Sequence, residues 1–324
     1  MAQGSASSAF RLSALTGHLV VALIALIVIG GATRVMQAGL ACPDWPLCYG
    51  QWLPGGQLNA QVFLEWFHRL DAFVVGVALL VLTTASLWAR RSLPRWLPFT
   101  AGLALLLVAV QGGLGALTVT RLLAAPLVTA HLATALLLVA LLSGIHQALR
   151  VTVAAHPGEP ASLPRWWIAL VAAALLLLLG QCLLGGSLAS TWGAERCLST
   201  GDGCDQLLRH RLGARAAALL PLLLFPASLA ASGTRGWLRR GALAAALLVM
   251  VQIGLGIATL RLSLAAPAVT IAHQSGAALL VALLAGCLGR SLASHGVPST
   301  PSVDSAPSLM SSRSGPEPLE VAHG

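Results

Sequence analysis

Residues 111–131, QGGLGALTVTRLLAAPLVTAH, return as residues 252–273, QIGLGIATLRLSLAAPAVTIAH. Gln111, Gly113, Leu114 and Gly115, then Thr118, Ala124-Ala125-Pro126 and Val128-Thr129, each find their counterpart 141 positions on. His131 and His273 stand 142 apart, as do His68-Arg69-Leu70 and His210-Arg211-Leu212. Gly30-Gly31 matches Gly185-Gly186 at 155, which makes the first connecting loop 13 residues longer than its counterpart (155 − 142). Unrelated apolar stretches do not reproduce such spacing, so the chain is a duplication.

What is duplicated follows from composition. Of 324 residues 57% are hydrophobic and 9% charged, with mean hydropathy +0.83. A soluble domain carries about a quarter charged residues, so this is an integral membrane protein. Apolar segments run over 13–36, 66–89, 97–118, 128–149, 166–190, 209–232, 241–260 and 269–290, each near the roughly 20 residues a spanning helix needs. The expectation is an all-α membrane protein of eight transmembrane helices, built as two parallel-repeat four-helix bundles. Four helices per unit is an even number, so the repeats relate by an axis along the membrane normal. The halves are residues 1–150 and 151–294. Residues 295–324, rich in Ser and Pro, read as a disordered tail. The first segment is too long for a signal peptide's apolar region and no small-residue cleavage site follows it. Residues 1–10 are too short for a mitochondrial presequence.

All 19 basic residues are Arg. They sit singly or in small groups at the ends of apolar runs, the pattern of topology signals rather than of a nucleic-acid surface. Arg11, Arg90, Arg91, Arg95, Arg150, Arg165, Arg235, Arg239, Arg240 and Arg290 fall on one side with both termini, a modest excess that places that side in the cytoplasm. The other side still holds Arg34, Arg69, Arg121, Arg196, Arg209, Arg211, Arg215 and Arg261, which call for a separate explanation.

Four of the nine His, His68, His131, His210 and His273, open the second, fourth, sixth and eighth apolar segments, and they are expected in the first helical turns. Ionisable groups at membrane depth are costly and usually functional. Two His facing one another across a four-helix bundle are natural axial ligands for a haem iron. Zinc would want further ligands close by, and neither half offers a matching set. One bis-His site per half is therefore expected. His18, His146, His156, His295 and His323 lie at the opposite end or in the tail. Gly113, Gly115, Gly254 and Gly256 allow backbone to approach a flat ring, or serve helix packing. Arg69, Arg121, Arg211 and Arg261 are candidates for haem propionates, which Arg holds bidentately; binding lipid phosphates is the plainer reading. Glu65 precedes His68 by three residues and shares its helix face, while its counterpart at +142 is Leu207. It is either an acid–base group beside one iron only, or a surface carboxylate at a helix start. Asp71, one turn on, is a weaker candidate to orient His68. Cys42 with Cys48, and Cys197 with Cys204, read as loop disulfides on the oxidising side, with redox-active thiols as the sharper alternative. Cys182 and Cys287 lie inside apolar segments as packing residues.

Gly30-Gly31-Ala32-Thr33-Arg34, Gly39-Leu40, Cys42-Pro43-Asp44-Trp45-Pro46-Leu47-Cys48 and Glu65-Trp66-Phe67-His68-Arg69 together resemble the haem A synthase family of the CtaA type. Gln111-Gly-Gly-Leu-Gly with His131, and Gln252-Ile-Gly-Leu-Gly with His273-Gln274, extend the resemblance over about residues 17–290. It implies a haem b cofactor held by His210 and His273, and haem O processed at His68 and His131. The implied reaction oxidises the C8 methyl of haem O through a hydroxymethyl stage to the formyl group of haem A, destined for a terminal oxidase. Cys42, Cys48 and Glu65 then matter, and a haem O synthase becomes the supplier of substrate. The second half has Leu207 and Ala189 where the first has Glu65 and Arg34, which implies unequal roles. The expected setting is a bacterial cell membrane, with lipid and haem O as partners and no nucleic acid. A dihaem cytochrome b is the main alternative, but it needs one haem per leaflet and all four His fall at one end. A repeat-built transporter would place ionisable residues near the midplane, where this chain has none.

Overall fold

The structure is a computed structural model that describes residues 2–153, 163–231 and 236–295. The Ser- and Pro-rich tail beyond 295, Arg235 and His156 lie outside the described residues. Eight described helices are long and apolar enough to cross a membrane. They are α1 (Ala2–Val35), α2 (Ala60–Trp88), α3 (Trp96–Thr120), α4 (Ala125–Val153), α5 (Arg165–Ser190), α7 (Cys204–Ala231), α8 (Gly236–Arg261) and α9 (Pro267–His295). The short α6 (Gly193–Ser199) lies in the loop between α5 and α7. This is the expected all-α membrane class.

The helices begin one to eleven residues before the apolar runs that announced them, because hydropathy marks the lipid core and not the first helical turns. Asn59, for example, accepts the Gln61 and Val62 N–H groups at 3.0 Å and starts α2 well ahead of residue 66. His68 is therefore the ninth residue of α2, and His131, His210 and His273 are the seventh of α4, α7 and α9. They stand in second and third turns rather than first ones, deeper than expected.

Within the first half each helix touches its two neighbours, α1 with α2 and α4, and α3 with α2 and α4. The second half repeats this with α5, α7, α8 and α9. The halves meet along α4 and α9, flanked by α1 against α9 and by α4 against α5. A Cβ on Gly289 would strike the Gly144 backbone, so only glycine lets α4 and α9 cross this closely. Around that seam a single apolar core includes Leu79, Leu97, Leu142, Trp167, Leu238 and Leu284. Large apolar side chains such as Phe73, Phe99, Leu176 and Met250 point outward instead, as a lipid-facing surface requires.

The duplication reaches the backbone. Leu122 and Leu123 adopt positive φ between α3 and α4, and Ser263 and Leu264 do so between α8 and α9, 141 residues on. The bonds Leu122 N–H to Val119 O and Leu123 N–H to Thr118 O recur as Ser263 to Leu260 and Leu264 to Thr259. Gln37 and Trp192, 155 apart, share a φ near +55° after α1 and α5. One expectation shifts: Pro126 and Pro267 match at 141 in sequence, yet α4 and α9 start 142 apart, at Ala125 and Pro267. The extra residue is taken up in the turn, which is why the histidines follow the offset of 142.

Candidate active site: two histidine pairs and one buried carboxylate

In each half, two helices carry a histidine and the other two seat it. A Cβ on Gly30 of α1 would lie 2.9 Å from the His68 ring, and one on Gly115 of α3 would lie 3.3 Å from His131. In the second half a Cβ on Gly185 of α5 would lie 2.9 Å from the His210 ring, and one on Gly256 of α8 would lie 3.0 Å from His273. Each imidazole thus leans on a helix backbone at a place where a side chain would push it away. The flat ring that Gly115 and Gly256 admit is the imidazole itself, while Gly113 and Gly254 face open space. Glutamines fix the backbones behind the rings. Gln111 donates to His131 O at 2.9 Å, Gln252 to His273 O at 2.7 Å and Gln181 to His210 O at 2.8 Å. His68 and His131 are near enough to interact electrostatically, and so are His210 and His273.

The donor set suits a haem. The buried Nδ1 atoms of His68, His131 and His273 have no hydrogen-bond partner, which calls for an explanation such as a catalytic role or a bound species. Two imidazoles per four-helix bundle is the ligand count for axial coordination of a haem iron. Among the described residues no three His, Cys, Asp or Glu come together as a metal cluster, which disfavours a zinc-type site.

Glu65 is not a surface carboxylate. It is 4% exposed, although it belongs to the membrane-entry turn of α2. Its Oε2 accepts the Cys42 N–H at 2.8 Å, and its Oε1 pairs with Arg69 at 2.6 Å. Arg69 also donates to the carbonyls of Asp44, Leu47 and Cys42 at 2.6, 2.5 and 3.4 Å. The Cys42–Cys48 disulfide, as expected, closes this loop, and both of its cysteines are buried. Asp44 folds the loop over itself by accepting the Gly50 N–H at 2.8 Å and the Tyr49 N–H at 2.7 Å. The Gly50 N–H above all, then the Tyr49 N–H and the nearby Arg69, hold its carboxyl below the usual range. The first loop is thereby clamped to the face of α2 that carries His68.

The second loop is built otherwise. Cys197 and Cys204 also form a disulfide, but Cys204 is exposed. Leu207, the counterpart of Glu65, packs with Leu188 and Ala194 in a small apolar cluster. The propionate candidates divide the same way. Arg69 is engaged by the loop, whereas Arg121 and Arg261, at the ends of α3 and α8, and Arg211, next to His210 on α7, are exposed. Asp71 is half-buried and leaves the His68 Nδ1 without a partner. Two features escaped the sequence reading. One is Gln181, which hydrogen-bonds the His210 Nδ1 at 2.9 Å, where the first half has Leu26. The other is Arg34, stacked 4.5 Å over the Trp192 ring across the two halves.

The family model for COX15-CtaA, described as cytochrome oxidase assembly protein, matches residues 14–206. The chain belongs to the COX15-CtaA family. Among its relatives is a protein named heme A synthase from Shewanella oneidensis, 29% identical over 312 residues that cover 80% of this chain and 90% of the relative. A second heme A synthase, from Rhizorhabdus wittichii, is 30% identical across 82% of this chain and 89% of the relative. A protein from Halobacterium salinarum named protoheme IX farnesyltransferase is 32% identical over 155 residues, 48% of this chain and 32% of that protein. Within the COX15-CtaA family, then, the two histidine pairs and Glu65 are the groups whose chemistry needs an account.

Proposed function

We propose that this chain is a haem A synthase, an integral-membrane oxidoreductase that oxidises the C8 methyl of haem O to a formyl group and so makes haem A for a terminal oxidase. Family membership and the full-length heme A synthase relatives support the activity, and they do not favour a dihaem cytochrome. The observation that carries the division of labour is Glu65, buried one turn from His68 and replaced by Leu207 beside His210. Residues 1–150 form the substrate half, with His68 and His131 holding haem O. Residues 151–294 form the cofactor half, with His210 and His273 holding a resident haem b. When bound there, the haem b supplies one-electron transfer.

The protein's own residues do the rest. Gly30, Gly115, Gly185 and Gly256 set the imidazoles against the helix backbones, which fixes their distance from the bundle axis. The carbon passes from methyl to hydroxymethyl to formyl in two two-electron oxidations that each break a C–H bond; the first also forms the C–O bond, and the oxygen atom and the oxidant come from outside the chain. Glu65 is the group placed to accept and return protons, a role typically worth about 10²–10⁴-fold in rate. Arg69 and the Cys42 N–H hold its two oxygens, and the disulfide-closed loop covers it. Arg121, Arg211 and Arg261 are the cations that remain for the propionates. Both termini lie in the cytoplasm of a bacterial cell by the excess of Arg at their side, and the sites open on the other face. A haem O synthase supplies the substrate, a link supported by the farnesyltransferase resemblance.

Glu65→Gln tests the carrying observation. It keeps size and hydrogen-bonding oxygen but removes the titratable group, so haem should still bind. Pigment extracted from cells expressing it should hold haem B and haem O, with the hydroxymethyl intermediate, and little haem A. Haem A at the wild-type level would remove Glu65 from the chemistry.

A further inference from the structure

Three of the four paired histidines share one arrangement at Nδ1, and the fourth departs from it. The Nδ1 atoms of His68, His131 and His273 are buried and unbonded. Each of these rings faces the backbone carbonyl that stands four residues before its seating glycine, Leu26 before Gly30, Gln111 before Gly115 and Gln252 before Gly256. His210 breaks the series. The matching residue before Gly185 is Gln181, and here a side chain reaches the ring. Its Nε2 lies 2.9 Å from His210 Nδ1 and 2.8 Å from His210 O.

The other atom of this amide is the unusual one. Gln181 Oε1 is buried and has no hydrogen-bond partner, an arrangement that calls for an explanation. It rests against α7 where a Cβ on Gly213 would collide with it, so glycine three residues after His210 is what admits the oxygen. In the first half the same two positions are Leu26 and Asp71, at offsets of 155 and 142. Neither the amide nor the glycine therefore belongs to the scaffold that duplication made common. Both are particular to the surroundings of His210.

An imidazole nitrogen accepts or donates according to where the ring carries its proton. With the proton on Nε2, both His210 Nδ1 and His210 O are acceptors, and the two protons of Gln181 Nε2 serve them. An iron held on Nε2 leaves the proton on Nδ1, which then donates. A glutamine amide meets that demand as well, since its nitrogen can keep the carbonyl while its oxygen accepts from the ring. We propose that Gln181 tunes the haem b iron by accepting the His210 Nδ1–H on Oε1. A ligand imidazole hydrogen-bonded in this way is a stronger electron donor; it favours ferric over ferrous iron and lowers the potential. This inference rests on the assignment of His210 and His273 to haem b, and adds the residue that sets that iron apart.

The test is a redox titration of the full-length, haem-loaded protein in detergent, followed at the low-spin haem band, with the g-values of the ferric form as a second readout. Gln181→Leu gives the second half the side chain that the first half carries at Leu26, and Gln181→Met keeps the length without the amide. Both should raise the ferrous-to-ferric ratio at a fixed potential about tenfold, about 59 mV for one electron, and shift the g-values. Gln252→Leu is the control. It removes an equivalent bond to a histidine carbonyl, 2.7 Å to His273 O, and touches no Nδ1, so the potential should move far less. An unchanged or lowered potential in the Gln181 variants, or an equal rise in Gln252→Leu, would overturn the proposal. Loss of the haem from both Gln181 variants would also overturn it, because Gln181 would then govern loading rather than potential. Survival of the low-spin haem in His210→Ala would instead overturn the cofactor assignment, and this inference with it.

Discussion

The histidine-bearing ends of the two halves share a backbone and differ in their loops. His68 and His210 both lean on a glycine whose added Cβ would come within 2.9 Å of the ring, and Gln37 and Trp192 share a φ near +55°. One turn before the histidine, however, the first half buries Glu65 in contact with Arg69 and a disulfide-closed loop, and the second buries Leu207 among leucine and alanine. A further contrast lies in the ion pairs. Glu65–Arg69 has side chains 5% and 15% exposed, while Asp205–Arg209 in the second half has them 71% and 63% exposed. Duplication supplied the means of holding two imidazoles twice. The two halves then differ on the loop side, where a contact can be altered without moving a helix.

The largest expected effect separates the halves by their haems. On the proposed assignment, His210→Ala or His273→Ala should abolish the resident b-haem spectrum of purified protein. His68→Ala should leave that spectrum in place and instead abolish haem A formation in cell extracts. Absorption spectra and pyridine haemochrome analysis of the two sets of variants would check this. A full low-spin bis-His signal surviving His210→Ala would reverse or erase the distinction between the halves.

Next in size is the loss of a cation. Arg69→Leu would strand the Glu65 carboxylate in a site with only the Cys42 N–H to hold it, and would release three loop carbonyls. Removing one partner of a buried pair costs about 3–5 kcal/mol. The same change at Arg209 removes an exposed pair worth about 0–1 kcal/mol. Thermal unfolding in detergent, with proteolysis of the first loop as a local probe, should give a large shift for the first variant and almost none for the second. Equal shifts would mean that the first loop is not clamped through Arg69.

Much of this comparison was legible in the sequence. Eight apolar runs, two repeat offsets and four matched histidines give the architecture, because a membrane allows few other ways to satisfy a backbone. The position of Glu65 three residues before His68, with Leu207 as its counterpart, exposed the asymmetry. Other parts were not legible because they depend on contacts between distant segments. Arg69 reads as a propionate partner until the loop folds over it. Glycines of the Gly-x-Gly stretches read equally as facing a flat ring or as helix-packing residues, whereas Gly115 and Gly256 seat an imidazole from the next helix. Gln181 has no partner in the repeat, so nothing in the spacing singled it out. The helix starts were misplaced by up to eleven residues because hydropathy marks the lipid core rather than the helical turns beyond it.

The smallest expected effect lies in the acid response of the two loops. Asp44 accepts the Gly50 and Tyr49 N–H groups beside Arg69, which lowers its carboxyl below the ordinary value of about 3.9. A group whose folded value is depressed stabilises the fold above its unfolded value, and that contribution is lost as pH falls through the folded one. The first loop should therefore hold constant order from neutral pH down to about pH 4 and loosen below it. The second loop serves as the internal reference, since its disulfide is already partly exposed. Reduction of Cys42–Cys48 by a phosphine, measured against Cys197–Cys204 in the same molecule by mass spectrometry, should speed up about two- to threefold on crossing that range. In Asp44→Asn the charge is gone while an oxygen acceptor remains, so the ratio of the two rates should no longer change with pH. A ratio that stays flat in the wild type would mean that the first loop is held by Arg69 and Glu65 alone, with no share for Asp44.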